Sequence, residues 1–335
     1  MEVNTFFDFC SGIGGGRLGL ERCGLTCVGS SDTSRLANRT YDLLFDDKTD
    51  VNYGNLKRID CKAIPDFDVM IAGFPCQTFS VIGRQEGTKD PRGQIIYHLI
   101  DILEKKKPKV FIFENVKGLV THDKGKTFND IIATLSKSGY SIYHKVLNSI
   151  DYGVPHMRQR IYIIGFENSL GIKNYIWPDE KERVQIDSYF NPTDNYMSEE
   201  DYEWFSLRYL NNEKNNGKFK LQEILDMNNV VVDTRMSDLR LYHNRMPTLR
   251  AHRDGIYYVR DKKIYYLKGE EALKFQGFDD CFIKKVSGKV SNRHLLQQAG
   301  NAMTVNVVQC IGKAILDKLE EVTNYSKSSN FRKII

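Results

Sequence analysis

Short apolar runs recur through the first half of the chain, each followed by a polar or glycine-rich turn and then an amphipathic stretch. Phe6 to Cys10 reads as a strand, Gly12-Ile13-Gly14-Gly15-Gly16 as a turn, and Arg17 to Arg22 as the start of a helix. Cys27-Val28-Gly29 predicts a second strand and Thr33 to Leu44 a helix. A third strand, Phe67 to Ala72, runs into Gly73-Phe74-Pro75-Cys76. The helix Gln94 to Lys105 precedes Pro108 and a strand, Phe111-Ile112-Phe113, that delivers Glu114. Phe128 to Ser138 predicts another helix, with Gly139 as its stop. Arg158-Gln159-Arg160 leads into a further strand through Gly165. Alternating strands and helices predict an α/β fold: a mostly parallel sheet covered on both faces. Ligands of such sheets gather at the C-terminal ends of the strands. The glycine turn, Cys76 and Glu114 all fall there.

After about Gly171 the pattern changes. Polar, Asn-rich and Tyr-rich segments, such as Asn211 to Gly217, predict a second, smaller domain with longer loops. Within it Tyr257-Tyr258-Val259 and Ile264-Tyr265-Tyr266 predict a hairpin, and Glu270 to Phe275 a short helix. Leu295 to Lys318 returns to a helical pattern around Gly300-Asn301-Ala302, and the polar tail from Asn324 predicts fraying.

Composition narrows the class of protein. Of 335 residues, 41% are hydrophobic and 27% charged, as in ordinary globular proteins. No run of eighteen apolar residues suggests a membrane span. The N-terminus lacks the basic stretch of a signal peptide, and seven scattered cysteines suit reduced thiols, so a cytoplasmic location is expected. No metal-type pairing of cysteines and histidines occurs; Cys23 and Cys27 read as core thiols. The net charge of +5 permits a polyanionic partner without requiring one. Between Thr234 and Arg260 six arginines alternate with Tyr242, Tyr257 and Tyr258. That mixture suits phosphate and base contact, and equally a solvated basic face.

Three positions invite chemistry. The turn Asp8 to Gly15 follows a strand and opens a helix, a nucleotide-type signal shared by dehydrogenases and methyltransferases. Asp32, after the next strand, would bond ribose hydroxyls or cap the following helix. Cys76 follows a proline at the end of an apolar run, which suits a loop thiol rather than a strand centre. A lone cysteine is otherwise a small buried hydrophobe. Glu114 at the end of an apolar strand suits a role that depends on its protonation, or an ion pair with Arg158 or Arg160.

The ordered set of motifs resembles the DNA (cytosine-5)-methyltransferases. The matching residues are Asp8-Phe9-Cys10-Ser11-Gly12-Ile13-Gly14-Gly15, Gly73-Phe74-Pro75-Cys76-Gln77, Glu114-Asn115-Val116 and Arg158-Gln159-Arg160-Ile161-Tyr162. Pro247-Thr248-Leu249 and Gln298-Ala299-Gly300-Asn301-Ala302 complete the series. The resemblance implies a Rossmann-like methyltransferase fold with a smaller target-recognition domain. Its expected boundaries are 1–185 for the catalytic domain, 186–285 for target recognition, and 286–335 for a segment returning to the catalytic domain.

It also implies a mechanism. The Cys76 thiolate would add to cytosine C6, making C5 able to accept a methyl group. Glu114 would act as general acid toward N3, in a site whose burial favours its protonated form. Arg160 would bond the base oxygen O2, with Arg158 supporting the site. The target nucleotide would be flipped from the duplex. The methyl donor would be S-adenosyl-L-methionine, leaving S-adenosyl-L-homocysteine, with no metal.

For the cofactor the resemblance implies Cys10, Ser11, Gly12, Ile13 and Gly14, with Asp32, Asn55, Leu56, Gly73, Pro75, Asn301 and Ala302. Two departures stand out: Cys10 occupies a position often held by phenylalanine, whose stacking Phe9 would have to supply, and Asn55 stands where an aspartate is usual. For DNA, Ser80, Arg84 and Arg92 on a glycine-rich loop that would close on DNA, and Arg235, Arg240, Arg245 and Arg250, are the expected contacts. The implied setting is a cytoplasmic monomer on double-stranded DNA, beside a cognate restriction endonuclease acting separately, with no membrane contact. An RNA (tRNA) cytosine-5 methyltransferase and a catalytically silent DNA-binding module are the competing readings. A nicotinamide-dependent dehydrogenase would rest on the glycine turn alone.

Overall fold

The computed structural model describes residues 2–46, 51–75, 95–236, 238–251 and 255–331, with side chains described through residue 324. The chain divides into two compact units. The first comprises Met1–Leu147, Gln159–Glu180 and Ala302–Ile335; the second comprises Asn148–Arg158 and Lys181–Asn301.

The first unit contains β1 (Thr5–Phe9), α1 (Gly15–Glu21), β2 (Thr26–Ser31), α2 (Arg35–Phe45), β3 (Val69–Gly73), α3 (Ile95–Lys106) and β4 (Val110–Val116). It continues through α4 (Gly118–Thr121), α5 (Lys126–Lys137), β5 (Tyr140–Asn148) and β6 (Gln159–Glu167). The six strands lie in the order β2-β1-β3-β4-β6-β5. β1 pairs in parallel with β2 and with β3, and β3 with β4; β6 runs antiparallel to β4. The central strands are continuous apolar runs because helices cover both of their faces. Phe7, Phe9, Met70, Ala72, Phe111 and Phe113 pack with α3 and α5 residues such as Leu99, Leu103 and Ile131 in one core. Every strand and helix expected in this half is present, with shifts of a few residues at the ends. Gly139 stops α5 with a φ of 93°.

The second unit holds α6 (Glu199–Phe205), α7 (Leu221–Leu225), β7 (Val230–Arg235), β8 (Asp238–His243), β9 (Ile256–Arg260) and β10 (Lys263–Tyr266). α8 (Gly269–Phe275), α9 (Asp280–Val286) and α10 (Asn292–Asn301) follow. Its sheet is antiparallel, in the order β10-β9-β7-β8. The predicted hairpin is β9–β10, turning through Asp261 and Lys262, both at positive φ. Val230, Val232, Phe205, Tyr209, Tyr257 and Ile264 form its core. The stretch expected to be one helix around Gly300 is two, α10 and α11 (Val305–Phe331), separated at residues 302–304. α11 stays helical through Phe331, where the polar tail predicted fraying. The passage from second unit to first falls between Asn301 and Ala302, whereas the sequence placed the return at 286. α8 packs on α10, and Gly269 could not carry a Cβ against Leu295, which keeps that segment with the second unit.

Candidate active site

The glycine turn is built by bonds between backbone and one carboxylate. Ser11 N–H donates to the Ser31 carbonyl at 3.1 Å, and Gly12 N–H to Asp32 Oδ2 at 2.9 Å. The other Asp32 oxygen accepts from Ser34 N–H at 2.8 Å. Asp32 therefore ties the ends of β1 and β2 together. It is not the cap of α2: Ser34 holds that position, accepting from Ala37 N–H at 3.3 Å. Each Asp32 oxygen still has a lone pair for a further donor.

This turn also shows features of a ligand cradle. Gly12, at φ 55°, has open space where a Cβ would stand. The Ser11 hydroxyl is buried with no hydrogen-bond partner among the described residues. A buried hydroxyl without a partner costs free energy that a bound polar ligand would return. The donor and acceptor set fits a cofactor with a polar amino-acid end and a ribose. Cys10 is half-buried at φ 51°, and burial, then the charges of Asp32 and Asp8, push its thiol well above the usual range. Phe9 does not supply the missing ring: it is fully buried and stacks on Phe7 at 4.2 Å. Asn55 opens a short turn, its amide oxygen accepting from Lys57 N–H at 3.0 Å, while Leu56 is buried beside it.

One wall of the cradle was not foreseen. Met303, just before α11, lies against the start of α1. A Cβ on Gly15 would collide with the Met303 carbonyl oxygen, and one on Gly16 would come within 2.6 Å of Met303 Cε. α11 then packs along α1 at another glycine, where a Gly19 Cβ would stand 2.6 Å from Val308 Cβ. Ala302 is buried in this segment, while Asn301, the last residue of α10, is exposed.

Glu114 is buried near the end of β4, in register with Gly73 on β3 and Tyr162 on β6. Arg160 lies opposite Val116 and is therefore the diagonal neighbour of Glu114. Its Nε is 3.1 Å from Glu114 Oε1, and both side chains are largely shielded from water. Glu114 thus pairs with Arg160. Glu114 Oε2 lies 3.6 Å from where a Gly73 Cβ would stand, so glycine keeps the β3 end open to the carboxylate. The neighbouring Asn115, fully buried, donates from its side-chain amide to the Phe74 carbonyl at 3.2 Å. That contact fixes the chain one residue before Pro75. Cys76, Ser80, Arg84 and Arg92 lie outside the described residues.

Arg158 belongs to the second unit. It is buried, and its Nη1 donates to the Leu249 and Gly300 carbonyls, each at 3.2 Å. His156 holds the same residue by its other backbone group: Leu249 N–H donates to His156 Nε2 at 3.2 Å. With Nε2 accepting, Nδ1 carries the proton and faces the Phe275 carbonyl at 3.1 Å. A Cβ on Gly300 would collide with the Arg250–Ala251 peptide. Arg158, expected to support the reaction site, here joins His156 in knitting Leu249 to Ala251 onto α10.

The arginine-rich region is less cationic than its composition. Arg235 donates through Nε and Nη2 to Asp233, each at 3.2 Å, and Arg240 donates to Asp238 at 3.2 Å. Arg245 is exposed and Arg250 half-buried. Tyr257 and Tyr258 are buried packing residues, not exposed rings for base contact. Among the described residues no group of His, Cys, Asp and Glu could hold a metal ion, and no helix is long and apolar enough to cross a membrane.

The sequence profile of the C-5 cytosine-specific DNA methylases matches residues 4–317, and the chain belongs to that family. It is 33% identical over 313 residues to the Type II methyltransferase M.HhaI of Haemophilus parahaemolyticus, covering 91% of this chain and 92% of that one. To the Type II methyltransferase M.BsuFI of Bacillus subtilis it is 34% identical, covering 94% and 73%. In fold it superposes on the methyltransferase EhMeth of Entamoeba histolytica with a TM-score of 0.71 at 21% identity, covering 95% and 99%.

Proposed function

We propose that the protein transfers a methyl group from S-adenosyl-L-methionine to C5 of a cytosine in a specific duplex DNA sequence, through attack of Cys76 on C6. The observation that carries this reading is the buried Glu114–Arg160 pair beside Gly73, with Asn115 holding the backbone that runs to Cys76. The family supplies DNA cytosine as the substrate class.

In this reading the Cys76 thiolate forms a bond to C6 while Glu114 delivers or shares a proton at N3, so that charge does not build up in the ring. Arg160 donates to O2 and holds the base in the plane of Glu114. When bound, the cofactor supplies an electrophilic methyl group at C5. A water molecule or hydroxide takes the C5 proton, the electron pair of that bond forms the C5–C6 double bond as the thiolate leaves C6, and the N3 proton returns to Glu114. Ser11, Gly12 and Asp32 would hold the cofactor's polar parts, with Leu56 and the Ala302–Met303 segment at its sides. The Asp32 carboxylate serves the ribose best, because its two bonds to Gly12 and Ser34 fix its orientation. The second unit would read the DNA sequence, and the target nucleotide would be flipped out of the duplex. The setting proposed is a cytoplasmic monomer that protects sites from a separate restriction endonuclease.

The test is transfer of tritiated methyl groups to duplex DNA and, in parallel, to tRNA. The reading requires transfer to duplex DNA alone, lost in Cys76→Ser while cofactor binding persists. Full activity of Cys76→Ser would remove the nucleophile assignment, and transfer to tRNA alone would change the substrate.

A further inference from the structure

The hairpin β7–β8 turns at an unusual residue. Arg235 pairs with Asp238 across the two strands, so the chain reverses within two positions. Reversals this short place backbone in the left-handed region, which glycine and asparagine tolerate best. Here Met236 stands there, at φ 45°. A residue with a Cβ is strained in that conformation. Among the described residues nothing covers it: the Met236 side chain is 89% exposed, more than any other large apolar side chain among them. An apolar group in water on a strained backbone is unfavourable twice over.

The hairpin beneath this tip is firmly held and electrically balanced. Asp233 is fully buried and receives both bonds from Arg235; Asp238 receives Arg240. In the ladder Asp233 faces Arg240 and Arg235 faces Asp238, so two cations and two anions occupy one face of the hairpin. Thr234 donates from its N–H and its hydroxyl to the Gly255 carbonyl, each at 2.9 Å, which anchors β7 to the residue before β9. The result is a stiff, neutral finger ending in a thioether side chain. It is not a cationic finger, so its tip is not made for phosphate.

On duplex DNA the accessible apolar groups in the major groove are the C5 edges of pyrimidines, above all the thymine methyl. We propose that Met236 is a specificity-determining residue that presses on the C5 edge of one pyrimidine flanking the target cytosine. This rests on the DNA reading above. Burial of the tip on that edge is what offsets its exposure and strain, so a sequence lacking the apolar edge is discriminated against.

The test compares wild type, Met236→Asn and Met236→Leu. Asparagine removes the apolar contact and relaxes the backbone; leucine keeps the contact. Bisulfite sequencing of DNA from cells making each protein reports the sequences methylated. KM and kcat are then measured on a duplex carrying the wild-type sequence. Met236→Asn should methylate a set relaxed at one flanking position, with KM for the duplex raised about tenfold and kcat held. Its melting temperature should equal or exceed that of wild type, and Met236→Leu should retain the wild-type set. An unchanged set and KM in Met236→Asn would overturn the proposal, and so would a lowered melting temperature, which assigns Met236 to folding alone. If the wild type itself methylates no duplex DNA, the function reading falls, an outcome distinct from equal behaviour of active proteins.

Discussion

The side-chain amide of Asn115 donates to the carbonyl of Phe74 at 3.2 Å, joining the residue after Glu114 to the residue before Pro75. In the mechanism proposed above, the bond would connect the Glu114 carboxylate on β4 to the backbone leading from β3 toward the proposed nucleophile. Asn115 is a positioning residue. Asn115→Ala should lower kcat by about ten- to a hundredfold, since a displacement near 1 Å is enough for that. KM for DNA should stay near wild type. Single-turnover methyl transfer separates the two, and a purely structural role would show instead as a lowered melting temperature at unchanged kcat.

Gly15 carries a second prediction. Its Cα faces the Met303 carbonyl so closely that a methyl group cannot be admitted without backbone movement. Gly15→Ala should destabilise the protein by about 1–3 kcal/mol, as overpacking does. Displacing the Met303 segment should also weaken S-adenosyl-L-methionine binding. Urea unfolding and titration calorimetry measure the two effects separately.

Arg158 predicts differently from Arg160, although both stand in one motif. Removing Arg158 leaves the Leu249 and Gly300 carbonyls without this donor inside the second unit. Arg158→Ala should cost about 2–4 kcal/mol of stability, from lost charged hydrogen bonds and buried acceptors. Arg160→Ala should cost less stability and more turnover, because its partner is the Glu114 carboxylate. Thermal unfolding and initial rates on both variants will separate the two roles.

A pH effect follows from Asp68, at the start of β3 and away from the reaction site. Burial opposes its ionisation. The Lys109 ammonium at 2.7 Å and the N–H groups of Asn4 and Thr5 outweigh that and hold the carboxyl below its usual range. A carboxylate whose folded pKa is lowered stabilises the fold above its unfolded value, near 4, and that contribution disappears as pH falls through the folded value. The melting-temperature gap between wild type and Asp68→Asn should be full at neutral pH and close progressively below about pH 4. A gap that persists unchanged at pH 3 would contradict this.

The central sheet was legible because strands covered on both faces must be apolar throughout; Val69 to Ala72 and Val110 to Phe113 admit little else. The β9–β10 hairpin was legible from its flanking apolar runs. The β7–β8 hairpin was not, because Met236 carries no turn signal. Glu114 was recognisable as an anomaly, a carboxylate at the end of an apolar strand. Its pairing with Arg160 rather than Arg158 depends on strand register, which composition does not contain. Asp233 and Asp238 stand within two residues of the arginines they neutralise, so the balanced charge of that hairpin was readable from spacing. The Met303 contact was beyond reach. It joins positions at opposite ends of the chain, and only the packing of α11 on α1 brings them together.

That contact sets an order on biosynthesis. Gly15 and Gly16 leave the ribosome early, but Met303 and α11 emerge only after almost all of the remaining chain. At ordinary elongation rates the interval is on the order of 15–60 s. During it the nascent polypeptide already carries Glu114 and Arg160, yet the wall against its first helix is missing. A chain cut short before Met303 would carry Glu114 and Arg160 but lack this wall against α1. The packing of α11 on α1 is therefore a late contact in synthesis, made between segments that emerge far apart in time.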